Sequence, residues 1–169
     1  MTEPEVWLRG AVPGIPPLLQ PVAHSLLQCR DEVAACVPGL NAEQLVARPG
    51  GAASIAYHVR HAIGSLDRLL TYARGRQLSD EQWAHLKAER NADGASAEEL
   101  VAAFDDAIRH SLEQVRDTGE ATLVEPRAVG RKQLPSTVVG LLFHAAEHTQ
   151  RHVGQLVTTA KVLRDRPHA

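Results

Sequence analysis

Two cysteines among 169 residues leave this chain without the means for a disulfide framework. Cys29 and Cys36 lie seven residues apart in what reads as one helix, which separates their Cα atoms by roughly 10 Å, too far for a bridge. Both are expected to be reduced, structural thiols. Strong charge of either sign is missing as well. Eighteen Lys and Arg against 20 Asp and Glu give a net charge of −2, which excludes the basic footprint of a nucleic-acid binder or of a protein drawn to an acidic membrane. Long apolar runs are absent: the longest, near Val138–Phe143, is interrupted by Gly140 and falls far short of the ~20 residues that span a bilayer. The opening Met1-Thr-Glu-Pro-Glu is acidic and lacks the basic and apolar regions of a signal peptide. Together these absences predict a cytoplasmic protein with no membrane and no nucleic-acid partner.

Familiar catalytic signatures are missing too. There is no GxSxG, no phosphate-binding Walker loop and no dinucleotide fingerprint. In His148-Thr-Gln-Arg-His152 the zinc-protease glutamate is replaced by Thr149, and Glu147 points about 100° away around a helix, so it cannot simply take over. No segment shows sustained strand alternation, and no internal repeat is evident.

What is present is helical and, at 44% hydrophobic residues, able to bury a core; the length suits one domain over residues 1–169. Residues 1–16 form a Pro- and Gly-rich lead-in whose Trp7 and Leu8 are expected to pack onto the body. Leu18 to about Val37 reads as the first helix, with Pro21 near its first turn and Pro38-Gly39 stopping it. Asn41 caps a short turn to about Val46, and Pro49-Gly50-Gly51 is a loop. Ser54 opens a long helix to about Ala73, ended by Gly75. Ser79-Asp-Glu-Gln82 and Ser96-Ala-Glu-Glu99 fit capping boxes, opening helices over about 80–90 and 97–117. Residues 120–135 are a long connection, of a length that suggests folding over an opening of the bundle. Ser136 to about Leu163 is the last helix. Four long helices with short accessory ones predict an all-α fold, a four-helix bundle.

Three of the nine histidines, His144, His148 and His152, recur at four-residue spacing in that last helix. Leu141, Gln155 and Thr159 share the same face, within about 40° of His148. Apolar residues occupy much of the remaining circumference, so the stripe is expected to be largely buried. Buried imidazoles need partners, and a metal satisfies them while keeping them neutral. Two histidines on one helix rarely complete a site, so a third ligand is expected from a facing helix. The second long helix offers His58 and His61. Ser54, Tyr57, Ser65, Arg68 and Tyr72 cluster within about 40° of His61, opposite an apolar stripe, while His58 lies about 60° off. This composition suits the lining of a polar cleft, in which Tyr57, Ser65 and Arg68 could orient an anionic group. His24 on the first helix is the other histidine that could face that cleft.

The segments SIAYHVRHAIGSLDRLLTYARG and LLFHAAEHTQRHVGQL together resemble the DinB-like (DNA-damage-inducible, YfiT-like) superfamily. The telling parts are His-x-x-x-His-x-Gly-Gln, present as His148 to Gln155, and a histidine seven residues after the serine opening helix two, His61 after Ser54. WLRG, LSDEQ and VGRKQLPS extend the likeness over most of the chain. The resemblance implies an up-down-down-up four-helix bundle and a divalent metal ion, zinc or nickel, held by His61, His148 and His152, with open positions filled by water. It also implies a homodimer, as in many relatives, and a small-molecule substrate. Relatives of known activity include S-transferases of low-molecular-weight thiols such as bacillithiol or mycothiol, and a thiol-using isomerase. The chain departs from the simplest pattern by adding His144 and His58, either of which could replace or support a ligand. Glu147 and Gln155 are candidate supports for the ligand rings. The function expected is a metal-dependent enzyme, a thiol S-transferase or hydrolase. The competing readings are a non-catalytic metal-binding stress-response protein and a helical interaction module.

Overall fold

Side chains that cap the backbone mark where each helix begins. In the computed structural model, which describes residues 4–91 and 94–165, the helices are α1 (Gln20–Cys36), α2 (Ala42–Val46), α3 (Ile55–Ala73), α4 (Asp80–Ala88), α5 (Ala97–Asp117) and α6 (Val138–Arg164). Asn41 with Gln44, Ser79 with Gln82 and Ser96 with Glu99 form reciprocal capping boxes, while Ser54 and Thr137 cap α3 and α6. At the far end of α3, Gly75 takes a φ of +72°, the Gly75 amide donates to Tyr72 and the Arg76 amide to Thr71. That double bond is a Schellman stop, which needs a residue tolerant of the left-handed region.

Four long helices pack around one apolar core. Leu26 and Val33 of α1, Val59 and Leu66 of α3, Phe104 and Ile108 of α5, and Leu142 and Leu156 of α6 are all essentially without solvent contact. Each such side chain contributes about 1.5–3 kcal/mol. Helix directions follow from the residues that meet. Pro21 and Val22 share a groove with Phe143 and Ala146, while Arg164 donates to the carbonyl of Cys36, so α1 and α6 run parallel. His58 meets His152 and His61 meets His148, so α3 runs against α6. Ile63 lies near Ala103 and Gln114 donates to the carbonyl of Leu70, so α5 runs with α3. The order is therefore up-down-down-up, as the resemblance implies.

Three expectations need correction. Residues 120–135 are not an unstructured connection: a 3-10 turn at Glu120–Thr122 leads into an antiparallel hairpin, β1 (Pro126–Val129) with β2 (Leu134–Thr137). Four-residue strands are too short to show alternation, so the sequence pattern concealed them. The hairpin lies away from the histidines. Arg127 donates to the carbonyl of Ala73 and Arg131 stacks on Trp83 of α4, which puts the hairpin at the end of α3, about 18 Å along the helix from His61. Because Ser136 and Thr137 belong to β2, α6 begins two residues later than expected. In the lead-in, Val6 and Ile15 are the residues that pack, the Val6 amide bonded to Gln28, whereas Trp7 and Leu8 are 62% and 57% exposed. No helix among the described residues is long and apolar enough to cross a membrane. Both cysteines are free thiols, and burial pushes Cys29 up to about 12.

Candidate metal centre

The antiparallel crossing of α3 and α6 decides which histidines meet. A step of three residues along α3, from His58 to His61, matches a step of four back along α6, from His152 to His148. One nitrogen from each of His61, His148 and His152 lies within 4.8 Å of the others. Ring centroids are 4.5 Å apart for His61 and His152 and 4.6 Å for His148 and His152. All three are half-buried, and Tyr57 lies flat on His61, its centroid 5.4 Å away.

Two of the three outer nitrogens are held by specific partners. His61 Nδ1–H donates to Glu89 Oε2 at 2.7 Å, which leaves Nε2 with a free lone pair facing the cluster. Glu89 closes α4, is 7% exposed, and also accepts from the buried guanidinium of Arg68. Burial pushes the Glu89 carboxyl up, but the hydrogen bonds from His61 and Arg68 outweigh it and hold it below the ordinary carboxylate value. His58, almost fully buried, places its Nδ1 3.0 Å from Nδ1 of His152, an arrangement that leaves His152 Nε2 for another partner. Gly64 makes the Glu89 arrangement feasible: a Cβ there would overlap Glu89 Oε1 and stand 2.7 Å from Arg68 Nη1.

Protonation disfavours the cluster. Desolvation, reinforced by the neighbouring imidazoles, pulls His152 down to about 4 and lowers His148 and His58 as well. Neutral imidazoles with convergent lone pairs are the form that a metal ion requires. His61 Nε2 and His148 Nε2 are 3.1 Å apart. With metal–nitrogen bonds of about 2.0–2.1 Å, two ligand nitrogens sit about 2.9 Å apart at a right angle and about 3.4 Å at the tetrahedral angle, so the separation fits a shared ion. Hydrogen bonding is incomplete on the outer side of the cluster, at a nitrogen that an ion held by His148 Nε2 would not meet. His148 Nδ1 is the buried side-chain polar atom left without a partner among the described residues. The residues present therefore fit a divalent metal.

The remaining candidates fall elsewhere. His144 is exposed and bonded to Glu147, its ring 5.4 Å from that of His148 but outside the three-histidine group. Glu147 serves His144 and Arg151 rather than a ring of the cluster, and Gln155 is exposed. Arg68 is committed to Glu89 and Ser65 is buried, so of the three groups expected to orient an anion only Tyr57 remains available. His24 bonds the carbonyl of Gly10 and tethers the lead-in, away from the cluster. Sequence reasoning missed Glu89. The available signal was Gly64, an isolated glycine inside a helix, which marks a close approach by another group.

A helical bundle with three histidines converging between antiparallel helices defines a protein with the means to hold one metal ion. A family model of the DinB superfamily matches residues 25–156, and the chain belongs to that superfamily. The matched span contains both histidine motifs and leaves out the WLRG start. No curated protein matches the chain.

Proposed function

We propose that the protein is a cytoplasmic metal-dependent enzyme acting on a small molecule, with His61, His148 and His152 as ligands of one zinc or nickel ion. The reaction proposed is transfer of a low-molecular-weight thiol, or hydrolysis. The observation that carries this reading is the convergence of three half-buried imidazole nitrogens, two of the rings oriented from behind by Glu89 and His58. Three protein ligands are the number found where a metal keeps a position for water or substrate. When bound there, the ion would supply Lewis acidity, drawing the pKa of a coordinated thiol or water toward neutrality.

The chain's own residues prepare the site. Glu89 fixes the His61 tautomer and the orientation of its ring, and His58 orients His152. Tyr57 shields one face of His61 from water. Low proton affinity keeps His148 and His152 uncharged at neutral pH. A purely structural ion is less well supported, because the cluster joins α3 to α6, which already share the apolar core through Val59, Leu66, Leu142 and Leu156.

The first test is metal analysis of protein purified without an affinity tag. Equimolar zinc or nickel is expected; metal well below that after supplementation would sink the reading. The transferase version is then tested with low-molecular-weight thiols and monochlorobimane, where equal conjugation rates for wild type and His148→Ala would overturn it.

A further inference from the structure

A cavity of about 290 Å³ opens beside the histidine cluster, lined by Arg48, Ala53, Ser54, Tyr57 and Arg90. Tyr57 belongs to both places: it lines the cavity and stacks on His61. Among the described residues no acidic side chain lines this space, yet two guanidinium groups reach it from elements more than forty residues apart. Arg48 comes from the loop before α3, and Arg90 directly follows Glu89, the residue that orients His61.

Both arginines are uncommitted. Among the described residues Arg48 bonds only through Nε, to the carbonyl of Ala52 at 3.4 Å, which leaves its terminal nitrogens without a partner there. Arg90 forms no hydrogen bond or ion pair with the described residues, and neither does the hydroxyl of Tyr57. Several other arginines that line or approach the bundle are paired. Arg68, Arg109, Arg127 and Arg151 each meet a carboxylate. Two like charges at one cavity without an acid create a positive potential that an oxyanion relieves, and guanidinium forks match carboxylate and phosphate geometry.

We propose that this cavity is the anion subsite of the metal centre, where Arg48 and Arg90 hold a carboxylate or phosphate of the substrate and Tyr57 adds a hydroxyl donor. The proposal rests on the metal-centre reading and adds the substrate class. It also fixes a length. Tyr57 and Ser54 precede His61 by four and seven residues, about 6 Å and about 10 Å along α3. The substrate's anion therefore stands about 6–10 Å from its reacting atom, roughly the span of a six- to eight-carbon dicarboxylate.

The test titrates cobalt-loaded full-length protein with dicarboxylates from malonate to suberate, and with hexanoate, reading the cobalt d–d absorption. Affinity is expected to peak between adipate and suberate, about tenfold or more above hexanoate, as charge-assisted hydrogen bonds imply. Arg48→Ala/Arg90→Ala is expected to erase that advantage while leaving cobalt affinity, hexanoate binding and melting temperature unchanged. A series without a length optimum, or the same advantage in the double variant, overturns the proposal. Failure of the metal reading looks different, since no cobalt spectrum would form. In that case adipate is titrated into metal-free protein by NMR: amide shifts at Ala53, Ser54 and Tyr57 that vanish in the double variant support the subsite, and their absence in wild type overturns it.

Discussion

Replacing Glu89 by glutamine keeps the side-chain shape and removes one charge, and the structure says what that charge does. Glu89 is 7% exposed and answers both His61 and the guanidinium of Arg68, itself 9% exposed. Removing one partner of a buried ion pair costs about 3–5 kcal/mol, because the remaining charge stays buried without its counter-ion. The glutamine oxygen still accepts one hydrogen bond, so the lower end, about 3 kcal/mol, is expected. At about 2–4 °C per kcal/mol for a domain of this size, the metal-free protein should melt about 6–12 °C lower. Metal affinity should fall about 10- to 100-fold, the usual cost of losing a carboxylate behind a ligating histidine. Thermal unfolding in chelator and competition against a chromogenic chelator measure the two effects separately. Glu89→Leu/Arg68→Met separates them further. With both charges gone, stability should return to within about 2 kcal/mol of wild type, whereas metal affinity stays low because His61 Nδ1 has lost its acceptor. Wild-type affinity in Glu89→Gln would refute the positioning role of Glu89, and an unchanged melting temperature would refute the buried-pair argument.

Gly64→Ala should weaken metal binding about tenfold and destabilise the fold despite the better helix propensity of alanine, since its Cβ displaces the Glu89 carboxylate. Gly154→Ala meets open space on α6 and should stabilise by up to about 1 kcal/mol; denaturant midpoints of the two variants distinguish steric from propensity effects. His148→Ala and His152→Ala should each lose stoichiometric metal in elemental analysis, whereas His144→Ala should keep it, and loss in His144→Ala would return that residue to the ligand set. Chelated protein should lose stability as pH falls. The unfolded chain takes up protons near the ordinary value of 6.5, while folded His58, His148 and His152 resist them, His152 down to about 4. The contribution is intact above pH 6.5 and drains toward pH 4, so a urea midpoint that stays flat from pH 7 to 5 contradicts the burial of the cluster.

Local chemistry was legible in the chain. Capping at Asn41, Ser54, Ser79 and Ser96 involves groups within three residues of one another, so the starts of α2 to α5 stand where the spacing predicts. Four-residue histidine spacing is likewise a property of one helix, and it pointed to α6 before any partner was known. The hairpin escaped notice because its turn relies on Gly130 and on Gln133 at a φ of +51°, with strands too short for a period to register.

Tertiary structure decided everything that depends on two helices at once. By spacing alone His144, His148 and His152 are equivalent, and it was the motif ending in Gly154-Gln155 that singled out the last two. Only the crossing of α3 and α6 buries His148 and His152 against His61 and leaves His144 in solvent with Glu147. Glu89, 28 residues beyond His61, reaches it because α4 folds back over Gly64, and Arg48 and Arg90 meet at a cavity that no single segment contains. By itself the chain determined six helices and a stripe of imidazoles, since backbone capping and helical period act over a few residues. Which imidazoles converge, what holds them from behind and which charges stand beside them were settled by packing, because those distances exist only once the bundle closes.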